Sequence, residues 1–144
     1  MVEFIIKIIL AIIFGGLIGL QRSYFQKQAG LRTFSLVSLG ACLFVIFIQM
    51  FSLEKESIAR VLANIVVGIG FLGSGVIFSF KGKITGLTTA AALWVTAAIG
   101  LGIGLGFYFQ TFIATLLTIF ILQFLYYIEL ILNKKSNNTK ENLK

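Results

Sequence analysis

The longest uncharged stretch of the sequence, residues 84–128, reads ITGLTTAAALWVTAAIGLGIGLGFYFQTFIATLLTIFILQFLYYI, 45 residues without a Lys, Arg, Asp or Glu. A helix of that length would measure about 65–70 Å, whereas the hydrocarbon core of a bilayer is about 30 Å thick. The stretch must therefore reverse once if it lies in a membrane. We expect the turn between Gly104 and Gln110, which gives one span near 88–105 and another near 111–131.

Three further apolar runs are each long enough for one membrane crossing. Residues 33–53 and 61–80 contain no charged side chain, and residues 4–21 reach spanning length if Lys7 extends to the membrane surface. Backbone polar groups find no water in the hydrocarbon core, and the alternation typical of barrel strands is missing, so each run is predicted to be helical. The sequence predicts an all-α, polytopic transmembrane helix bundle of about five spans with glycine-rich packing. A cleaved signal peptide is the alternative for the first run.

The composition excludes a soluble domain and most kinds of enzyme. Hydrophobic residues make up 58% of the chain and charged residues 12%, with a mean hydropathy of +1.02, whereas a soluble domain is about one-quarter charged. With no His, one Cys and five acidic residues, the chain has few side chains that bind metals or act as general bases. We expect no enzymatic activity, no metal site and no cofactor.

Residues 68–73 spell G-x-G-x-x-G, a pattern that indicates a dinucleotide site only between a strand and a helix, with an acidic residue about 20 positions later. Here the pattern lies inside an apolar run, with Ala and Leu at that distance. Its glycines, among them Gly70 and Gly73, are better explained by close approach of membrane helices. These glycines are compatible with packing within the chain, with contacts in a homodimer, or with a polar path lined by backbone.

The cations are distributed unequally between the two sides of a five-span bundle. One side carries nine Lys and Arg, in segments 21–32 and 81–83 and in the polar tail 133–144, which follows the transmembrane domain 1–132. The other side carries three. The positive-inside rule then predicts an outside N-terminus and a cytoplasmic C-terminus. Attraction to anionic lipids explains the net charge of +7. Binding to nucleic acid, the other explanation of a basic chain, is not expected.

Few polar side chains fall within or beside the predicted spans, and these are the functional candidates. Arg60 and Asn64 are four residues apart and share one side of the third span, with Arg60 either a functional group or an anchor at the membrane boundary. Lys81 and Lys83 precede the N-terminus of the fourth helix and form a candidate anion site, unless they only follow the positive-inside rule. The positions that we expect to be sensitive are Arg22, Arg32, Arg60, Asn64, Gly70, Gly73, Thr88 and Thr89.

Several blocks of sequence follow one another between about residues 10 and 108. They are GGLIGL with Arg22, AGLRT at 29–33, LVSLGA at 36–41, RV at 60–61, VGIGFLGSG at 67–75, GLTTAA at 86–91 and LWVTAAIG at 93–100. In these blocks the chain resembles the membrane domain of the MgtC/SapB family of bacterial inner-membrane proteins.

The resemblance implies about five helices and a role in growth under low magnesium and, in pathogens, in survival inside macrophages. It also implies a regulator that acts on other membrane proteins, including the ATP synthase. Gln21 stands where the family commonly has an acidic residue, and Phe34 where it often has a His. These departures weaken any cation role that needs a carboxylate at this place. The soluble C-terminal domain of some members is not expected, because the chain ends at Lys144.

Taken together, these features predict a non-enzymatic regulator of other membrane proteins in adaptation to low magnesium, host or stress conditions, including virulence. Its expected partners are other membrane proteins, anionic lipids and a second copy of itself in a homodimer or homo-oligomer. The alternative is a small membrane transporter or channel for Mg²⁺ or a small anion. Arg60, Asn64 and the glycine-rich breaks in the helices favour that alternative.

Overall fold

The computed structural model describes residues 1–51 and 54–132 as five helices and one short hairpin. The helices are α1 (Val2–Tyr24), α2 (Leu31–Phe51), α3 (Lys55–Ser74), α4 (Leu87–Gly104) and α5 (Tyr108–Phe120), and α5 continues through a π-helical turn, Ile121–Leu125. The hairpin pairs β1 (Phe78–Phe80) antiparallel with β2 (Lys83–Thr85). Each helix is long and apolar enough to cross a membrane, with α5 counted to Leu132. The predicted fold class, a polytopic bundle of transmembrane helices, is confirmed.

Helix boundaries depart from the predicted spans mainly in α3. This helix covers Lys55–Ser74 rather than 61–80, because the chain leaves the helix after Gly75 and residues 78–80 form β1. Charged residues in the first turn of α3 do not stop the helix, since a helix can extend beyond the hydrocarbon core. The predicted tail, 133–144, and the last two residues of the predicted second span lie outside the described residues.

The fourth helix lies at the centre of the bundle and packs against each of the other four helices. More than half of its spanning segment is buried, whereas only 6% of the corresponding segment of α3 is. Helices α1 and α2 pack together beside α4, and α5 packs against α1 and α4. Helix α3 packs against α2 and α4, with Ile69 and Gly73 as its buried residues. One whole side of α3 is therefore not covered by the other helices that the structure describes.

Glycines let two helices approach the backbone of α2 at Ser38. A Cβ atom on Gly15 of α1 would lie 2.7 Å from the Cβ of Ser38 and 2.6 Å from the carbonyl oxygen of Phe34, and a Cβ on Gly100 of α4 would collide with the carbonyl oxygen of Ser38. Ser38 is fully buried between them. Such contact of backbone with backbone supplies the dispersion energy that holds membrane helices together.

The interior of the bundle is apolar along most of its length. Ile18, Phe34, Cys42 and Ile103 are fully buried in one apolar cluster. Several buried threonines donate their hydroxyl hydrogen to the carbonyl four residues earlier in their own helix, as Thr96 does to Ala92 at 2.8 Å. These hydroxyl groups are thus satisfied within one helix and do not form a chain of polar groups between helices.

Candidate functional site

A cavity of about 500 Å³ opens at the end of the bundle where α1 ends and α4 begins. We call it the Arg22 cavity, and the end of the bundle that contains it the Arg22 end. One side of the cavity is polar and comes from α1, the α1–α2 connection and the start of α4. The other side is mostly apolar and is formed by Ile121, Leu122, Leu125 and Tyr126 of the extended α5.

The connection between α1 and α2 is held in one shape by a local contact. The hydroxyl oxygen of Ser23 accepts a hydrogen bond from the N–H of Leu31 at 2.9 Å, and a Cβ atom on Gly30 would collide with that same oxygen. On the other side of the connection, the ring of Phe25 packs edge-on against Tyr126 of α5, with 5.3 Å between centroids. These contacts fix the residues between them at the rim of the cavity.

Hydrogen bonds join the polar residues on this side of the cavity. Arg22, in the last turn of α1, donates from Nη2 to the hydroxyl oxygen of Thr89 at 2.8 Å. Thr89 in turn donates to the amide oxygen of Gln28 at 3.4 Å, and the amide nitrogen of Gln28 lies 3.5 Å from the hydroxyl of Thr85. Residues from α1, the α1–α2 connection, β2 and α4 therefore share one network.

The start of α4 is set by a glycine with a left-handed backbone. Gly86 caps the helix with φ 91°, and a Cβ atom there would collide with the carbonyl oxygen of Val76. Only glycine adopts this conformation without strain and admits that contact. The first backbone N–H groups of α4, up to Thr89, have no acceptor within the helix, and they begin beside the cavity.

The charge of Arg22 is buried and has no counter-charge among the residues that the structure describes. Its side chain is 96% buried, since only 4% of the residue is exposed, and its Nε has no hydrogen-bond partner. Within residues 1–51 and 54–132 it forms no ion pair. Glu129 lines the cavity but is exposed. A buried charge without a partner is costly in free energy, so this arrangement points to a functional role.

The structure brings three of the predicted site residues together and separates the others. Arg22, Thr88 and Thr89 line the cavity. The remaining candidates lie elsewhere, with Arg32, Arg60, Asn64 and Gly70 exposed and Gly73 buried against Ala90 of α4. Lys81 and Lys83, the predicted anion site, are exposed residues of the hairpin and do not line the cavity.

Most residues that line the cavity were not among the predicted site residues, and three of these are charged or carry an amide that joins the hydrogen-bond network. Lys27, Gln28 and Glu129 line the cavity, and nothing in the local sequence distinguishes them from ordinary connection or surface residues. The cations that the fold places beside the start of α4 are thus Arg22 and Lys27, which precede that helix by about 60 residues in the sequence. Across the described ranges, no group of three or more His, Cys, Asp or Glu side chains could hold a metal ion.

The five apolar helices define the class of this molecule as a multi-pass membrane protein. The chain belongs to the MgtC family, whose family model matches residues 8–131.

Several curated relatives are 41–46% identical to the chain. "Putative magnesium transporter YhiD" of Escherichia coli K12 is 43% identical over 128 residues, which cover 84% of this chain and 60% of the relative. Protein MgtC of Brucella abortus (strain 2308) is 46% identical over 109 residues, 76% of this chain and 45% of the relative. Protein MgtC of Salmonella typhimurium LT2 is 41% identical over 117 residues, 81% of this chain and 50% of the relative.

The chain thus spans about half the length of the curated relatives it matches. The names of these relatives describe a putative magnesium transporter or give only the protein name MgtC, and none of the three names an enzyme. No solved structure matches the chain.

Proposed function

We propose that this protein is a non-enzymatic regulator of other membrane proteins, active in adaptation to low magnesium, host or stress conditions. The observation that carries the proposal is the uncovered side of α3. We call it the α3 outer face, and it consists of the exposed residues Arg60, Asn64, Val67, Gly68 and Phe71. Their spacing of three or four residues places them on one stripe of the helix.

Asn64 is the residue of this face that most needs a partner. It lies four residues after Arg60, about 6 Å further along the helix axis, within the uncharged run 61–80. It is exposed and makes no hydrogen bond with any part of the chain that the structure describes. An amide in contact with lipid tails is unfavourable, and membrane helices satisfy such groups by hydrogen bonds to a neighbouring helix.

Gly68 extends this surface one turn beyond Asn64. A Cβ atom on Gly68 would meet nothing within 4 Å, so this glycine serves no packing within the chain. An amide and a glycine one turn apart form the kind of surface on which a second membrane helix can pack closely. Because the interior of the single chain is mostly apolar, contact through this face explains a function better than passage of ions through one bundle.

Ion transport is the second candidate function. The name of the Escherichia coli relative favours ion transport. Arg60 and Asn64 also favour it, because two copies joined through their α3 outer faces would place these polar groups along a shared path. Magnesium is the cargo that the relative's name suggests, although hard divalent cations prefer carboxylate oxygens.

We place the protein in the bacterial inner membrane with the Arg22 end in the cytoplasm, the N-terminus outside and the C-terminus inside. The positive-inside rule supports this orientation. The cations described at the Arg22 end are Arg22, Lys27, Arg32, Lys81 and Lys83, whereas those at the opposite end are Lys7, Lys55 and Arg60.

Complementation combined with reconstitution tests the proposal. A bacterial strain that lacks this protein is grown at low magnesium with the wild type, Asn64→Leu, or the control Gln110→Leu, which removes an exposed amide at the start of α5. We expect Asn64→Leu to accumulate normally and to fail in complementation, while Gln110→Leu complements. Liposomes with the purified protein should take up no Mg²⁺. Normal growth with Asn64→Leu would refute the regulator proposal, and saturable Mg²⁺ uptake would favour the transporter.

A further inference from the structure

We infer that the Arg22 cavity binds a phosphate group. The site is separate from the α3 outer face, so this inference goes beyond the regulator proposal and stands or falls independently of it. Two observations carry it: a buried cation without a counter-charge in the described part of the chain, and the start of a long helix beside that cation.

The first observation is the state of Arg22. A guanidinium group offers five N–H donors in a fixed plane and is suited to bind carboxylate or phosphate oxygens through two hydrogen bonds at once. In this structure only Nη2 has a recorded acceptor, the hydroxyl of Thr89, and Nε is buried without one. An anion in the cavity would supply both the missing acceptors and the missing negative charge.

The second observation is the direction of α4. Its 18 residues begin directly after Gly86, and both Gly86 and Thr88 line the cavity. The first N–H groups of a helix are free donors, and the helix dipole adds about half a positive charge at that end. A helix start and a buried arginine on the same cavity together form a site for an anion.

A second cation completes the polar side. Lys27 lines the cavity, with its ammonium 5.6 Å from the centroid of the Tyr126 ring. The only acidic residue among the described lining residues is Glu129, which is exposed. With two full positive charges and a helix start facing one exposed carboxylate, the cavity favours an anion that carries more than one negative oxygen. Phosphate meets this requirement and accepts hydrogen bonds from several directions.

The shape of the cavity indicates that the phosphate belongs to a larger molecule. A volume of about 500 Å³ exceeds what a single inorganic ion fills, and the side formed by α5 is mostly apolar. Two sources fit this combination: the headgroup of an anionic lipid, and a soluble phosphate ester. Both present the same group to Arg22 and α4, and they differ in whether apolar chains continue into the membrane.

The test uses the purified full chain and two probes. Phosphatidylglycerol in phosphatidylcholine nanodiscs represents the lipid source, with the retained lipid counted by native mass spectrometry. Inorganic phosphate, titrated against chloride at constant ionic strength, represents the soluble source, with the melting midpoint as readout. Arg22→Gln and Lys27→Gln remove cavity cations. Arg32→Gln and Lys83→Gln are matched controls, since each removes an exposed cation at the same end outside the cavity.

We expect saturable binding of one probe that weakens about tenfold or more in Arg22→Gln, because a charge-assisted hydrogen bond is lost. Lys27 is exposed, so Lys27→Gln should weaken binding about two- to fivefold. Both controls should bind like the wild type. Retained phosphatidylglycerol with no response to inorganic phosphate would identify the lipid headgroup, and the reverse result would identify a soluble phosphate.

Two results would overturn the inference. One is the absence of saturable binding of either probe to the wild type. The other is an equal loss of binding in Lys27→Gln and Lys83→Gln, which would mean that surface charge alone attracts the anion. If Arg22→Gln fails to fold, the comparison of these two lysine variants still decides, because both side chains are exposed and neither is needed for packing.

Discussion

The replacement of Gly100 by Ala is the sharpest test of the packing around Ser38. The added methyl group would collide with the carbonyl oxygen of Ser38 and lie 2.9 Å from the carbonyl carbon and Cα of that residue. These are backbone atoms of α2, so no change of rotamer relieves the contact. Helices α2 and α4 must move apart, and the packing beside them must loosen.

Opposing terms set the expected magnitude. Overpacking of a tight interior costs about 1–3 kcal/mol, and the replacement of Gly by Ala inside a helix returns up to about 1 kcal/mol. We therefore expect Gly100→Ala to lower the free energy of unfolding by about 1–2 kcal/mol. Gly68→Ala is the matched control, because a Cβ atom there meets nothing within 4 Å. That control should be as stable as the wild type or slightly more stable.

The chain carries its own probe for this measurement. Cys42 is the only cysteine, is fully buried, and contacts the same interface, since its carbonyl oxygen would lie 2.9 Å from a Cβ atom on Gly104. A thiol-reactive fluorescent dye therefore reports unfolding in detergent as temperature rises. The melting midpoint of Gly100→Ala should fall by several degrees relative to Gly68→Ala. Equal midpoints for the two variants would refute the close packing of α4 on α2.

Three further variants test other parts of the structure. Gly86→Ala should lower the melting midpoint more than Gly106→Ala in the same thiol-dye experiment. Both glycines have positive φ, but only at Gly86 does the added atom collide with backbone; similar midpoints would contradict this. Gly73→Leu should reduce stability because a large side chain would separate α3 from α4. Gly73→Ala should be tolerated, because its Cβ would lie 3.5 Å from Ala90. A normal melting curve for Gly73→Leu would argue against the contact. Arg60→Ala should impair complementation at low magnesium more than membrane insertion, measured by fractionation, and an equal loss of both would favour an anchoring role.

Because this chain lies in a membrane, its fold can largely be predicted from its sequence. In lipid a run without charges favours a helix, and α1, α2, α4 and α5 lie largely within the predicted apolar runs. The turn between α4 and α5 was required by the length of the last run. Helix α3 begins six residues before the predicted third span. Charged residues are permitted in the part of a helix outside the hydrocarbon core, as Lys55 and Glu56 are at the start of α3.

The functional site is much less readable, because it depends on contacts between distant residues. Arg22 and Thr89 are 67 residues apart in the sequence and meet only through the packing of α1 on α4. Nearness to α4 along the chain suggested Lys81 and Lys83 as its anion-binding cations, yet the hairpin holds them exposed and away from the cavity lining. Glycine spacing is equally ambiguous: Gly15 and Gly100 pack against the backbone of α2, whereas a Cβ atom on Gly70 would meet nothing within 4 Å.

The most direct measurement of the central claim, that the α3 outer face contacts another membrane protein, is photo-crosslinking in living bacteria. A benzophenone amino acid replaces Phe71, which is 81% exposed on that face, or Phe124, which is 48% exposed on the extension of α5. We predict an adduct to a different membrane protein from position 71 that disappears when Asn64→Leu is added, and none from position 124. Adducts of equal yield at both positions, or only a dimer of this chain from position 71, would contradict the claim.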